Sequence, residues 1–397
     1  MTHISHRQLF LKHLAPTSDS PIMVEVERAN GIYLYDPDGR QYIDLISGIG
    51  VSVLGHNHPE VVSAVIEQAQ KHMHVMAYGE FIQSPQVMLA QALAKTLPPS
   101  LDSVFLVNSG SEAAEGAMKL AHRYTGRHEI IACQDSYHGA TLGALSLGSH
   151  EEFKRPFRPL VPGIRHIRFG NESDLEQITD KTAAVFVETV QGEGGIRIAT
   201  KSWFEKLSQK CTNTGTLLIL DEIQCGFGRT GRFWAFEHYG IIPDVLLTAK
   251  GLGGGMPIGA FIASSNIMAV FKTNPVLGHI TTFGGHPVSA AAACATIDVL
   301  QRENYIEEVA HKATLLTQIL KHPAIKEIRH LGLMMAVQFD TFSQIDKIIH
   351  KALANGLIND WFLFCDNAIR IAPPLIISEK ELITAGELFL KSIDETL

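Results

Sequence analysis

The sequence is short of cysteine, of charge and of long apolar runs, and each shortage excludes a class of protein. Its 397 residues hold 5 Cys (Cys133, Cys211, Cys225, Cys294 and Cys365), odd in number, widely spread and without a CxxC. They read as reduced thiols, which excludes a disulfide scaffold and makes the cytoplasm the expected compartment. No stretch reaches the roughly 18 apolar residues of a membrane span. The patch Leu9-Phe10-Leu11 is too short for a signal peptide. Charged residues make up 19%, and 33 Lys+Arg against 41 Asp+Glu leaves a net charge of −8. With no long run of one sign, a nucleic-acid footprint and a polybasic membrane patch are both excluded.

What is plentiful points elsewhere. Apolar residues make up 46% and there are 33 Gly, a composition of buried strands and tight βα turns that rules out disorder, collagen and coiled coil. At about 150 residues per domain the length suggests two to three domains. A chain of this size buries roughly three quarters of its unfolded surface and needs neither disulfide nor metal to hold a core.

Along the chain, Ile32-Tyr33-Leu34-Tyr35, the turn Asp36-Pro37-Asp38-Gly39 and Gln41-Tyr42-Ile43-Asp44-Leu45 predict a hairpin. From Pro59, apolar residues at Val61, Val62, Val65, Ile66 and Ala69 have helical spacing. Short apolar runs at 103–107, 130–133, 183–187, 217–221, 245–247 and 258–263 predict strands, with helices at 111–124, 139–147 and 202–212 between most of them. That alternation predicts an α/β fold with a largely parallel sheet covered on both faces. After an Ala-rich helix at 288–300, helical segments near 303–320, 341–355 and 378–395 alternate with apolar segments at 331–339 and 368–376, the texture of a smaller α+β domain.

Three short motifs carry chemistry. Asn108-Ser109-Gly110-Ser111-Glu112 follows an apolar run and opens a helix. Ser109 with Glu112 fits a capping box, and Gly110 would let an anion approach the positive helix end; alone it also reads as an ordinary N-cap. Leu217–Leu220 ends in Asp221 and Glu222, placing Asp221 at the carboxyl edge of a strand, where open α/β sheets bind ligands. Val245-Leu246-Leu247-Thr248-Ala249 runs into Lys250 and a glycine cluster, Gly251 to Gly255. A lysine hemmed in there would be desolvated and would suit Schiff-base chemistry, against the plainer reading of a surface lysine. The glycines do not match a dinucleotide fingerprint. A lysine, a carboxylate for a pyridinium nitrogen, an anion cup and a stacking group at Tyr137 or His138 together satisfy what pyridoxal phosphate needs.

With these residues in place the chain resembles the class III pyridoxal-phosphate aminotransferases, the ornithine, acetylornithine, 4-aminobutyrate and putrescine aminotransferase group. The motifs run in order over nearly the whole chain: Gly55-His56-Asn57-His58-Pro59, Asn108 to Ala113, Tyr137-His138-Gly139, Gln191-Gly192-Glu193-Gly194-Gly195, Leu220 to Gln224, Lys250-Gly251, and Thr281-Thr282-Phe283-Gly284-Gly285. The resemblance implies fold type I, a large domain with a mainly parallel seven-stranded sheet and a small α+β domain. The expected division is an N-terminal segment 1–55 joining the small domain, a catalytic domain 56–290 and a small domain 291–397.

The resemblance also implies roles. Lys250 would bind the cofactor covalently and shuttle the proton, Asp221 would pair with the ring nitrogen and Gln224 with the ring hydroxyl. Tyr137 would stack on the ring with His138 beside it, Ser109, Gly110 and Ser111 would take the phosphate, and Glu188 belongs to the same set. Thr282 would complete the phosphate site of a neighbouring subunit, implying a homodimer with shared active sites. Glu193 and Arg370 would form a gate that opens for the carboxylate of 2-oxoglutarate. Where the family often has an arginine after His-Gly this chain has Ala140, which disfavours donors held by a far carboxylate and favours a primary amine, unless Lys154, Arg155 or Arg158 substitutes. Tyr78 and Ile49 are further candidates for the pocket wall. Thr189 stands where proline is frequent, with only a local backbone effect expected. No metal site is expected from His56 and His58 or from His72 and His74, which lack a partner set at ligand spacing. Trp361-Phe362-Leu363-Phe364 reads as core or dimer surface. The reading is an aminotransferase moving an amino group from a primary amine or ω-amino acid to 2-oxoglutarate by a ping-pong route, with an aminomutase or decarboxylase on the same fold as the alternative.

Overall fold

A computed structural model describes residues 5–397. Its centre is a seven-stranded sheet: β1 (Ser103–Val107), β2 (Glu129–Cys133), β3 (Ile164–Ile167), β4 (Thr182–Glu188), β5 (Leu217–Asp221), β6 (Val245–Thr248) and β7 (Gly259–Ala263). The spatial order is β1-β7-β6-β5-β4-β2-β3. β2 to β6 run parallel, and only β7 is antiparallel to its neighbours β1 and β6. Every residue of β4 and β5 is buried. Leu218 and Leu220 enter one core cluster while Leu217 and Ile219 enter the other. The two-residue strand period thus feeds both faces, which is why these strands are continuous apolar runs.

The predicted hairpin forms, with Tyr33–Tyr35 antiparallel to Gln41–Asp44. Its second strand then pairs in parallel with Leu357–Ile358, some three hundred residues later. A third sheet is wholly antiparallel, in the order Glu327–Leu331, Met334–Gln338, Cys365–Ile371, Asp360–Phe362. Helices Tyr305–Ile319 and Phe342–Ala354 pack on it, and Glu379–Asp394 packs on both of those helices.

Two local expectations differ. The edge strand β3, Ile164-Arg165-His166-Ile167, has no apolar alternation to announce it. The helix expected from Gly139 begins only at Leu142, because Gly139 has φ +134°, a conformation no helix contains.

Candidate functional site

The sheet register builds the site. In β4 and β5, Glu188 lies opposite Asp221, so two acids end side by side at the carboxyl edge. β6 ends two residues before Lys250, and the turn after β2 carries Tyr137 and His138 to the same edge. The helix α1 (Gly110–Thr125) starts directly after β1 and points its N-terminus at the opening. Together they enclose a cavity of about 420 Å³ lined by Ser109, Gly110 and Ser111, by Tyr137 and His138, by Glu188, Glu193 and Asp221, and by Gln224 and Lys250.

Asp221 is held at both oxygens. Its Oδ1 accepts from the Ile223 N–H at 2.9 Å and its Oδ2 pairs with Nδ1 of buried His138 at 2.7 Å. Burial opposes charge on the imidazole, but the hydrogen bond and charge of Asp221, aided by Glu188, prevail and raise His138 above its ordinary pKa. The positive bias of the buried imidazole is thus directed at the Asp221 carboxylate.

Glu188 ties two loops together, accepting from Tyr137 N–H at 2.9 Å and Gly192 N–H at 2.8 Å. Burial lifts its carboxyl to about 7, against the pull of His138. Burial lowers the Lys250 ammonium, with Glu193 working in the opposite sense. A less protonated amine is the form that attacks a carbonyl. Lys250 has φ +44°, an uncommon backbone for a side-chain-bearing residue, and such strain gathers at functional sites.

The anion cup forms differently from the capping box expected. Ser109 Oγ does accept from Glu112 N–H at 3.2 Å, but the Glu112 carboxylate reaches Asn108, taking its N–H and side-chain amide, both at 2.9 Å. The first N–H groups of α1, at Gly110 and Ser111, have no intrahelical partner and face the cavity end of the helix. Beside them, a Cβ on Gly139 would lie 2.2 Å from Ser111 Oγ. Only glycine leaves this space open. An anion cup, a fixed carboxylate, a desolvated amine and an aromatic ring on one cavity fit pyridoxal phosphate.

A second cavity of about 440 Å³ shares Tyr137, Glu193 and Lys250 with the first, and adds Arg370, Ile49 and the Asp360–Trp361 pair. Arg370 and Glu193 are 2% and 5% exposed. Arg370 Nη2 donates to both Glu193 oxygens, at 2.9 and 2.7 Å. Glu193 also accepts from Gln224 Nε2 at 3.3 Å and Leu363 N–H at 3.1 Å. The guanidinium lies 4.7 Å over the Phe362 ring.

Several candidates lie elsewhere. Tyr78 lines neither cavity; its hydroxyl donates to Val104 carbonyl at 3.1 Å and its ring meets Phe105 at 4.7 Å. Thr282 is exposed and also outside both cavities of this chain. Lys154 is bound to the carbonyls of Ser146 and Gly148, and Arg158 is paired with Glu151; both line a separate cavity. Thr189 does more than adjust the backbone: its hydroxyl donates at 2.8 Å to Glu222, which is fully buried and also accepts from Ala235 and Phe236 N–H. Cys225 is buried and its thiol is pushed up by burial, which makes it inert.

Sequence reasoning missed Asp360 and set Trp361 aside as packing. A lone acid inside the apolar run Leu357 to Phe364 was the available signal.

A sequence profile of the family described as aminotransferase class-III matches residues 14–393, and the chain belongs to that family. It is 42% identical over 355 residues to an acetylornithine aminotransferase of Methanopyrus kandleri, covering 89% of this chain and 90% of the relative. It is 36% identical to ornithine aminotransferase 1 of Staphylococcus aureus, covering 91% and 93%. Among solved structures, ornithine aminotransferase from Toxoplasma gondii superposes with a TM-score of 0.92 at 28% identity, covering 100% of this chain and 96% of that one. An (S)-enantioselective ω-transaminase from Thermomicrobium roseum gives a TM-score of 0.90 at 28% identity and 99% coverage of both. The fold is that of the fold type I enzymes, the protein is an aminotransferase, and its cofactor is pyridoxal phosphate.

Proposed function

We propose that this aminotransferase moves an amino group from a primary amine or ω-amino acid to 2-oxoglutarate by a ping-pong route. The observation that carries the reading is the buried Glu193–Arg370 pair on the wall of the Lys250 cavity. A buried guanidinium bound to a carboxylate is a carboxylate site already filled from within. When 2-oxoglutarate replaces Glu193 on Arg370, a carboxylate of the acceptor is held there; when the pair reforms, the cavity admits an amine end with no carboxylate beside it.

Pyridoxal phosphate, once bound, supplies an electrophilic carbon for the amine and an electron sink for the electrons of the C–H bond. The remaining work falls to side chains. Lys250 Nζ would take the proton from the donor carbon and return it two atoms along, across the nitrogen. Asp221, fixed by His138 and the Ile223 N–H, would keep a proton on the ring nitrogen. Tyr137 would cover a ring face, Gln224 would meet the ring hydroxyl, and Ser109, Gly110 and Ser111 would receive the phosphate.

The chain divides, on this reading, into a catalytic domain at 56–290 and a small domain from both ends, the latter supported by the pairing of Gln41–Asp44 with Leu357–Ile358. A homodimer is supported by Thr282, exposed and free of its own chain's cavity, and by strongly exposed apolar side chains such as Val276 and Ile82, 70% and 96% exposed. Cytoplasmic residence is supported by five free cysteines, and among the described residues no helix is long and apolar enough to cross a membrane. The test is a panel of amines, ω-amino acids and α-amino acids with 2-oxoglutarate or pyruvate. Amine-dependent glutamate formation with parallel-line kinetics is expected. Preference for pyruvate, or turnover that ignores keto acid, as an aminomutase or decarboxylase would show, overturns the reading.

A further inference from the structure

The second cavity contains a carboxylate that the gate does not use. Strand register places Asp360 directly opposite Arg370, so the two side chains share one face of the third sheet. Arg370 spends its Nη2 on Glu193 and approaches the Trp361 carbonyl at 3.4 Å. Its Nε lies 3.5 Å from Asp360 Oδ1, yet neither atom has a hydrogen-bond partner, and both are buried. One guanidinium therefore faces two acids and satisfies one of them. The lining cations of this cavity are Lys250 and Arg370. With Lys250 committed to the cofactor, Glu193, Asp360 and Arg370 leave one negative charge over, beside apolar walls at Ile49 and Trp361.

We propose that Asp360 is the donor-specificity residue, receiving the second ammonium of an aliphatic amine that carries a cation at both ends. The inference deepens the amine:2-oxoglutarate reading and rests on it. An anion in the wall of a cavity that also holds Ile49, Trp361 and the reacting lysine suits a methylene chain ending in two ammonium groups. A monoamine would leave the buried carboxylate oxygen unpartnered, and the asymmetry between filling and not filling such a group is what gives polar pockets their selectivity. Burial lifts the Asp360 carboxyl to about 6, Arg370 and Lys250 pulling it down and Glu193 and Asp44 pushing it up. The ionised form that receives an ammonium thus predominates at neutral pH.

The test compares 1,4-diaminobutane and 1,5-diaminopentane with n-butylamine and n-pentylamine on the holoenzyme. Single-turnover donor half-reactions are followed by cofactor absorbance, and their dependence on donor concentration gives the affinity of each amine. Each diamine should bind about tenfold or more tighter than its matched monoamine. In Asp360→Asn, and in the smaller Asp360→Ser, that preference should vanish, each diamine falling to the affinity of its matched monoamine. Equal affinity for diamines and monoamines in the unaltered enzyme overturns the subsite alone. So does a loss of 2-oxoglutarate affinity in both variants, which would make Asp360 a support for Arg370. Failure of every amine to react overturns the amine:2-oxoglutarate reading itself.

Discussion

Replacing Glu193 by Gln should move the two half-reactions in opposite directions. Glu193 holds Arg370 through two contacts, at 2.9 and 2.7 Å, inside a region where both residues are almost fully buried. Hydrogen bonds to charged groups are each worth about 1.5–3 kcal/mol net. An incoming 2-oxoglutarate must displace that interaction, so removing it should tighten 2-oxoglutarate by about ten- to a hundredfold. The same change leaves Arg370 facing only Asp360, at 3.5 Å. The freed positive charge should weaken amine donors by a comparable factor. Folding should also suffer, because a buried charge stripped of its partner costs about 3–5 kcal/mol. Separate half-reactions, followed by cofactor absorbance, measure the first two effects and urea unfolding the third. An unchanged or weaker 2-oxoglutarate affinity in a folded Glu193→Gln protein would refute the competition on which the gate depends.

Gly139→Ala forces a side chain into φ +134° and against Ser111 Oγ at 2.2 Å; strain of about 1–3 kcal/mol in the phosphate cup should weaken cofactor binding about ten- to a hundredfold in an absorbance titration, and wild-type affinity would contradict the cup assignment. Thr189→Val removes one of the donors to buried Glu222 and should cost about 1–3 kcal/mol in urea unfolding, whereas a neutral result would mean the hydroxyl is dispensable. Burial raises Glu222 from 4.5 to about 7, so its folded state holds the proton more tightly than the unfolded chain. Its stabilising contribution is complete below about pH 4.5 and lost as pH rises through about 7, on the order of 3 kcal/mol. The stability difference between wild type and Glu222→Gln should therefore change between pH 5 and 7.5, and parallel pH profiles would contradict the shift.

How much of this was legible in the sequence depended on whether a residue's meaning is local. β5 announced itself because both of its faces are buried, leaving Leu217 to Leu220 unbroken by any polar residue. Asp221 and Lys250 stood out as charges at the ends of such runs. β3 did not, since an edge strand carrying Arg165 and His166 has no apolar pattern to show. Thr189 was read as a backbone substitution because its partner, Glu222, lies 33 residues away. Asp360 was silent for the same reason: its position beside Arg370 comes from strand register, and register between distant segments is set by tertiary packing. The Glu112 carboxylate turned to Asn108 because that residue offers two donors, where a capping box offers one.

In the proposed reaction Arg370 holds a carboxylate of 2-oxoglutarate. The most direct measurement is the keto-acid half-reaction of the amine-loaded enzyme, with 2-oxoglutarate and with pyruvate, in wild type and Arg370→Met. A strong preference for 2-oxoglutarate is expected in wild type, with 2-oxoglutarate binding much weaker in the variant. Equal use of both acids by wild type, or an unchanged 2-oxoglutarate affinity in the variant, would contradict that role.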